Sequence, residues 1–151
     1  MKVRVEIIET SAQEEVVIRC RRIDESIMRL QQTLSRHTVE APRIVFYKGN
    51  REFYLLLDEI LFFETEKEHV YAHTVREYYD IKFKLYELER ILPSDFVRIA
   101  KSTIVNIRQI HSITKNITSA SKVEFCDSDK HVYVSRHYYQ MLREKLQELR
   151  L

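Results

Sequence analysis

Glycine is nearly absent from this chain: Gly49 is the only one in 151 residues. A phosphate-cradling loop of the P-loop or dinucleotide-binding type needs several glycines, because the backbone must come close to the phosphate. Nucleotide chemistry on those scaffolds is therefore excluded. Long apolar runs are absent too, and none approaches the roughly 18–20 residues that span a bilayer. The opening MKVRVEIIET alternates charged and apolar residues and is no secretory signal, so the expected location is the cytoplasm. Two cysteines, Cys20 and Cys126, form neither a CxxC pair nor a zinc spacing, and are expected to be two small buried hydrophobes. The histidines show no metal-ligand pattern. His69 and His73 stand four apart, which along one face of a strand is about 13 Å, too far to share an ion. No metal and no cofactor are expected.

Charge is balanced overall, with 25 Lys+Arg against 23 Asp+Glu, but unevenly spread. Residues 51–100 hold seven basic and eleven acidic residues, and residues 101–151 hold nine and five. A basic final third points mildly toward an anionic partner.

The hydrophobic pattern divides at about residue 42. In residues 1–42 a β-β-α appendage is expected. Val3, Val5 and Ile7 alternate with charged residues, Val16 to Cys20 form a short β run, and a helix starts behind the cap Asp24. Ile27, Leu30, Gln31 and Leu34 then share one helix face. Residues 35–42 lose periodicity and end in Pro42, as a linker would. This appendage suits dimerisation or interaction, and equally a cap on the sheet.

From Arg43 onward the period is mostly two. Gly49-Asn50 reads as a two-residue hairpin turn between Arg43–Lys48 and Glu52–Leu57. Further strands are expected at Leu61–Glu64, Val70–Val75, Tyr78–Phe83, Phe96–Ala100, Ser102–Ile107, Ile110–Thr114, Lys122–Cys126 and His131–Val134. A short helix carries Leu85, Leu88 and Leu92 and stops at Pro93. A closing helix starts at about Ser135, a good N-cap, with Met141, Leu142, Lys145, Leu146 and Leu149 on its apolar side. So many short strands argue for a mainly β sandwich or open barrel with helical trim.

Catalysis finds little support. Ser102 and Ser135 lie near strand ends, but neither has a glycine neighbour, and no nucleophile–base set can be assembled. Glu64, Glu66 and Glu68 alternate, which marks a solvated strand face. Recognition of nucleic acid has a better physical case. Three polar sites interrupt the β pattern at junctions: Glu66-Lys67-Glu68-His69, then Arg98 to Ser102, then Ser135-Arg136-His137. Long donors and imidazoles on loops of a rigid scaffold are suited to recognition. Arg136 would stand at a helix N-terminus, whose open N–H groups favour a phosphate, and Arg or Lys can read guanine O6 and N7.

Residues from about 43 to 150 resemble the LytTR (LytR/AlgR-type) DNA-binding domain family. The resemblance rests on Asp58-Glu59-Ile60-Leu61-Phe62-Phe63-Glu64, on Leu85-Tyr86-Glu87-Leu88-Glu89 with Leu92-Pro93, and on Phe96-Val97-Arg98-Ile99-Ala100-Lys101-Ser102-Thr103-Ile104-Val105-Asn106. Ile110-x-x-Ile113 and Val132-Tyr133-Val134-Ser135-Arg136-His137-Tyr138 complete it. The resemblance implies an elongated antiparallel β-fold with short helices over residues 43–151. It implies sequence-specific binding of double-stranded DNA by a transcription regulator that catalyses nothing. Junction loops would enter successive major grooves, on direct-repeat sites and as a homodimer.

Carried over by position, His69, Lys101 and Arg136 would read bases, and Lys67, Ser102 and His137 would contact phosphate. Val105-Asn106 would be structural. Lys101 is a departure, since the family often has asparagine or histidine there, and lysine is a cationic donor without the amide's acceptor. Many relatives carry a receiver domain, which forty residues cannot hold, so a stand-alone member is expected. Such members are often linked to small membrane proteins, which adds one as an implied partner; no small-molecule substrate is implied. The residues leave one rival reading: a protein-interaction module that has lost DNA binding.

Overall fold

The computed structural model describes Arg4, Val5, Ile7, residues 15–38 and residues 42–150. It divides into two compact units, residues 1–38 and 39–151.

In the first unit, helix α1 runs Glu25–Thr38. Asp24 starts it, its Oδ1 accepting the Ile27 N–H at 3.0 Å. Ile27, Leu30 and Leu34 are half-buried and Gln31 is exposed. The helix runs four residues into the stretch expected as linker. The strand expected at Val16–Cys20 does not form: these residues hold no regular structure, and Val16 and Val17 are exposed. A β-branched run without a ladder partner leaves its backbone groups to water, so propensity alone does not make a strand. Val3 of the other expected strand lies outside the described residues, while Val5 and Ile7 are exposed and outside any strand. Cys20 is exposed rather than buried, and Cys126 is half-buried.

Among its described residues the second unit contains ten strands: β1 Phe46–Lys48, β2 Arg51–Phe53, β3 Phe62–Glu66, β4 His69–His73, β5 Tyr78–Ile81, β6 Phe96–Ala100, β7 Thr103–Asn106, β8 Ile110–Thr114, β9 Ser121–Phe125 and β10 His131–Val134. Helix α2 (Leu85–Ile91) lies between β5 and β6, and α3 (Arg136–Arg150) follows β10. Seven strands form an open antiparallel sheet in the order β2-β1-β5-β4-β3-β7-β6, and the others form a second, β10-β9-β8. The architecture is mainly β with three short helices, and neither sheet closes into a barrel.

Period-two alternation sends neighbouring residues to opposite cores. Phe63 and Ile104 join Phe46, Val70, Ala72, Tyr79, Ile81 and the α2 residues Leu85 and Leu88. Phe62 and Val105, one position along, join Val97, Ile99, Val123, Phe125, Val132, Val134 and Leu142. β3 and β7 are thus sandwiched on both faces, and all four β7 residues are buried. Phe63 has no accessible surface, so Phe63→Ala would cost roughly 3–5 kcal/mol. In α3, Leu142 is buried while Met141 is 42% exposed; Tyr138 and Tyr139 supply apolar contact instead. Buried Asn106 has the structural role expected of it. Its Nδ2 donates to Ile60 O at 3.0 Å, and its Oδ1 accepts the Arg108 N–H at 3.2 Å. It ties β7 to the segment before β3.

Candidate nucleic-acid interface

Strand direction decides where the three polar junctions fall. Glu64 pairs with Thr103, and Ala100 pairs with Thr103. The β3–β4 turn (Lys67-Glu68) and the β6–β7 turn (Lys101-Ser102) therefore share one end of the large sheet. The Thr65 N–H donates to Ser102 O at 2.8 Å and joins them directly.

The third junction is attached through a bulge. Arg98 pairs with Ile104 and Ala100 with Thr103, which leaves Ile99 as an extra residue on β6. The Ile99 carbonyl accepts the Ser135 N–H at 2.9 Å. This places the start of α3, and hence Arg136 and His137, beside the end of β6. Two backbone hydrogen bonds thus gather all three expected sites.

Lys67, His69, Lys101, Ser102, Arg136 and His137 are all exposed. The side chains of Lys67, Lys101 and Arg136 pair with no group among the described residues. Lys67 sits at φ 57°, in the left-handed region that disfavours a side chain. His69 Nδ1 lies 3.8 Å from Asp80 Oδ1 on the neighbouring strand, and its ring meets Tyr71 at 6.1 Å. Ser102 Oγ lies 3.4 Å from Thr103 Oγ1, and His137 sets its ring edge-on to Tyr138 at 4.9 Å.

The N-cap expected of Ser135 is not formed. Its Oγ is buried and has no hydrogen-bond partner among the described residues, while its backbone carbonyl accepts the Tyr138 N–H. The first N–H groups of α3, at Arg136 and His137, remain open.

Beneath His69 the exposed sheet face turns acidic and aromatic. A groove of about 320 Å³ is lined by Glu66, Lys67, His69, Tyr71, His73 and Tyr78. Burial, then the nearby charge of Glu66, raises the Glu64 carboxyl above its ordinary range. His73 stacks on Phe62 at 4.3 Å and lies 3.9 Å from Glu64. Burial, and then the Lys130 charge, lower its pKa to about 4. A face carrying Glu64, Glu66 and Asp80 repels phosphate.

Two features of the site were hidden in the sequence. One is Asp80, which pairs directly with Tyr71 on the neighbouring strand and reaches His69 diagonally across the sheet, a partner set by strand register. The other is Arg98, whose guanidinium turns back onto its own turn; the alternation of buried Val97 and Ile99 signalled only that it faces away from the core.

An antiparallel β scaffold thus gathers unpaired cations at one end, a surface suited to an anion. The family model of the LytTr DNA-binding domain matches residues 50–147. The chain belongs to the LytTR family, a family of DNA-binding domains and not of enzymes. A Staphylococcus aureus (strain NCTC 8325 / PS 47) protein described as an uncharacterized HTH-type transcriptional regulator is 30% identical over 98 residues, covering 64% of this chain and 66% of that protein. Its counterpart in strain MRSA252 is 29% identical over the same length, with the same coverage. The chain therefore spans just under two thirds of these curated relatives. A LytTr DNA-binding domain from Bacillus cereus superposes with a TM-score of 0.63 at 22% identity, covering 70% of this chain and 97% of that one. That likeness supports the fold. Among the described residues no two α-helices follow one another, so no helix-turn-helix is built here. No helix among them is long and apolar enough to cross a membrane.

Proposed function

We propose that this protein is a cytoplasmic transcription regulator that reads specific double-stranded DNA with the three junctions at one end of its large sheet. The observation that carries the proposal is the pair of backbone hydrogen bonds, Thr65 to Ser102 and Ser135 to Ile99, which gathers unpaired Lys67, Lys101 and Arg136 onto one rim. His69, Lys101 and Arg136 reach base edges in the major groove. Lys67, Ser102 and His137 bind phosphate and fix register. The open N–H groups of α3 add a second attraction for a phosphate beside Arg136. Two copies on a direct-repeat operator would lengthen the site read. The region before residue 43 is the candidate element for joining them.

Footprinting on the DNA upstream of its own gene tests the proposal. A protected repeat is expected, together with affinity that falls steeply with salt as phosphate neutralisation releases counterions. No protection, or binding indifferent to salt and to Arg136→Ala, would favour a protein-interaction module instead.

A further inference from the structure

Lys101 is a long side chain on a two-residue turn, with no partner of its own among the described residues. A flexible reader discriminates poorly unless its backbone is fixed. The structure shows what fixes it. From β6, the Arg98 guanidinium donates through Nε to Ala100 O at 3.0 Å and through one terminal nitrogen to Lys101 O. The other terminal nitrogen donates to Glu89 Oε2 on α2 at 3.0 Å. Three acceptors at fixed angles suit a planar fork, and a lysine ammonium cannot reproduce that pattern. The Arg98 side chain is 21% exposed, and its bond to Ala100 O is partly shielded from water. The clasp spans the bulge at Ile99, whose own carbonyl holds α3. One side chain thus braces the Lys101 turn against α2, beside the anchor of Arg136.

We infer that Arg98 is a positioning residue for DNA recognition: it holds the Lys101 turn in its reading pose and does not touch DNA itself. This rests on the proposed function above, and its test separates the two. Arg98→Lys keeps the charge and removes the fork. It should lower affinity for the protected duplex about tenfold, leave affinity for an unrelated duplex within about twofold, and leave the salt slope unchanged. In a Lys101→Ala background, the same substitution should change specific affinity no further. Glu89→Gln, which weakens one arm only, should give a smaller loss of about threefold, and serves if Arg98→Lys folds poorly.

A second readout needs no DNA. Amide exchange at Lys101 and Ser102 should quicken about tenfold in Arg98→Lys, while exchange along β7 stays as before. Unchanged exchange at the turn would overturn the inference, as would an equal loss on both duplexes or an undiminished effect in the Lys101→Ala background. An Arg98→Ala slope shallower by about one phosphate would make Arg98 a DNA contact and overturn it too. If Lys101→Ala alone leaves specific binding untouched, Lys101 is no base reader and the proposed function needs revision. The exchange result then still decides whether Arg98 holds the turn.

Discussion

The two ends of the large sheet carry turns of matching form and opposite character. At one end Gly49-Asn50 joins β1 to β2 inside the pair Lys48 and Arg51, with Gly49 at φ 55°. At the other, Lys67-Glu68 joins β3 to β4 inside the pair Glu66 and His69, with Lys67 at φ 57°. The first turn uses the only glycine in the chain where positive φ is required, and the second places a lysine in the same conformation. Left-handed backbone costs a residue with a Cβ roughly 1–2 kcal/mol.

The charges differ in the same sense. At the glycine end, Lys48 donates to Glu77, and Lys130 reaches Glu77 O at 2.6 Å and His73 Nδ1 at 3.3 Å. The bond to Lys48, and then its charge, hold the Glu77 carboxyl below its ordinary range. At the lysine end Lys67, Lys101 and Arg136 have no partners among the described residues. One end is arranged to be stable. The other leaves strain and bare charge where an external anion can satisfy them, as functional sites commonly do.

The sharpest way to break this contrast is Arg136→Ala against Lys48→Ala. The first should weaken binding to the protected duplex about ten- to a hundredfold, and the second less than about twofold, in fluorescence anisotropy titrations. Equal losses would abolish the distinction between the ends.

Acid stability probes the region between them. The folded His73 pKa of about 4 lies below the free imidazole value near 6.5, so the folded state favours the neutral ring. The unfolded chain takes up that proton first as pH falls. The stabilisation is therefore complete above about pH 6.5 and is lost on descent toward pH 4, by about 3 kcal/mol at most, and by less because solvent screens a ring that is not fully buried. Urea unfolding between pH 7 and 4 should show this slope. His73→Phe, which keeps a ring stacked against Phe62 and removes the group facing Glu64 and Lys130, should flatten it.

The turns themselves give smaller effects of opposite sign. Nothing lies within 4 Å of a Cβ added at Gly49, so Gly49→Ala meets only the backbone cost. It should lose about 1 kcal/mol of stability with DNA affinity unchanged. Lys67→Gly should gain up to about 1 kcal/mol, while the slope of log affinity against log salt becomes shallower by about 0.9. A Lys67→Gly variant that is less stable, or that keeps the full slope, would show the lysine is neither strained nor a phosphate contact.

These same turns show what the sequence makes legible. Gly49-Asn50 could be read because glycine announces positive φ. Lys67 could not, because nothing in a lysine marks left-handed backbone. Alternation located the strands of residues 43–151, since most bury one or both faces and burial imposes the period. It misled at Val16–Cys20, where β-branched residues lack a partner strand. Ser135 looked like a cap by residue type, but its hydroxyl is turned inward and the helix begins on backbone bonds. The three junctions were recognisable as polar breaks; their meeting at one end depends on strand order and the Ile99 bulge, which are long-range. Arg98 and Asp80 stayed hidden for that reason.

On the proposed function, one end of the sheet faces DNA. Backbone amide shifts, followed by NMR as the protected duplex is added, test it most directly. Changes should concentrate at residues 66–69, 100–103 and 135–137, with residues 48–51 and 74–77 unmoved. Changes centred on the Gly49 end, with Lys67, Lys101 and Arg136 silent, would contradict it.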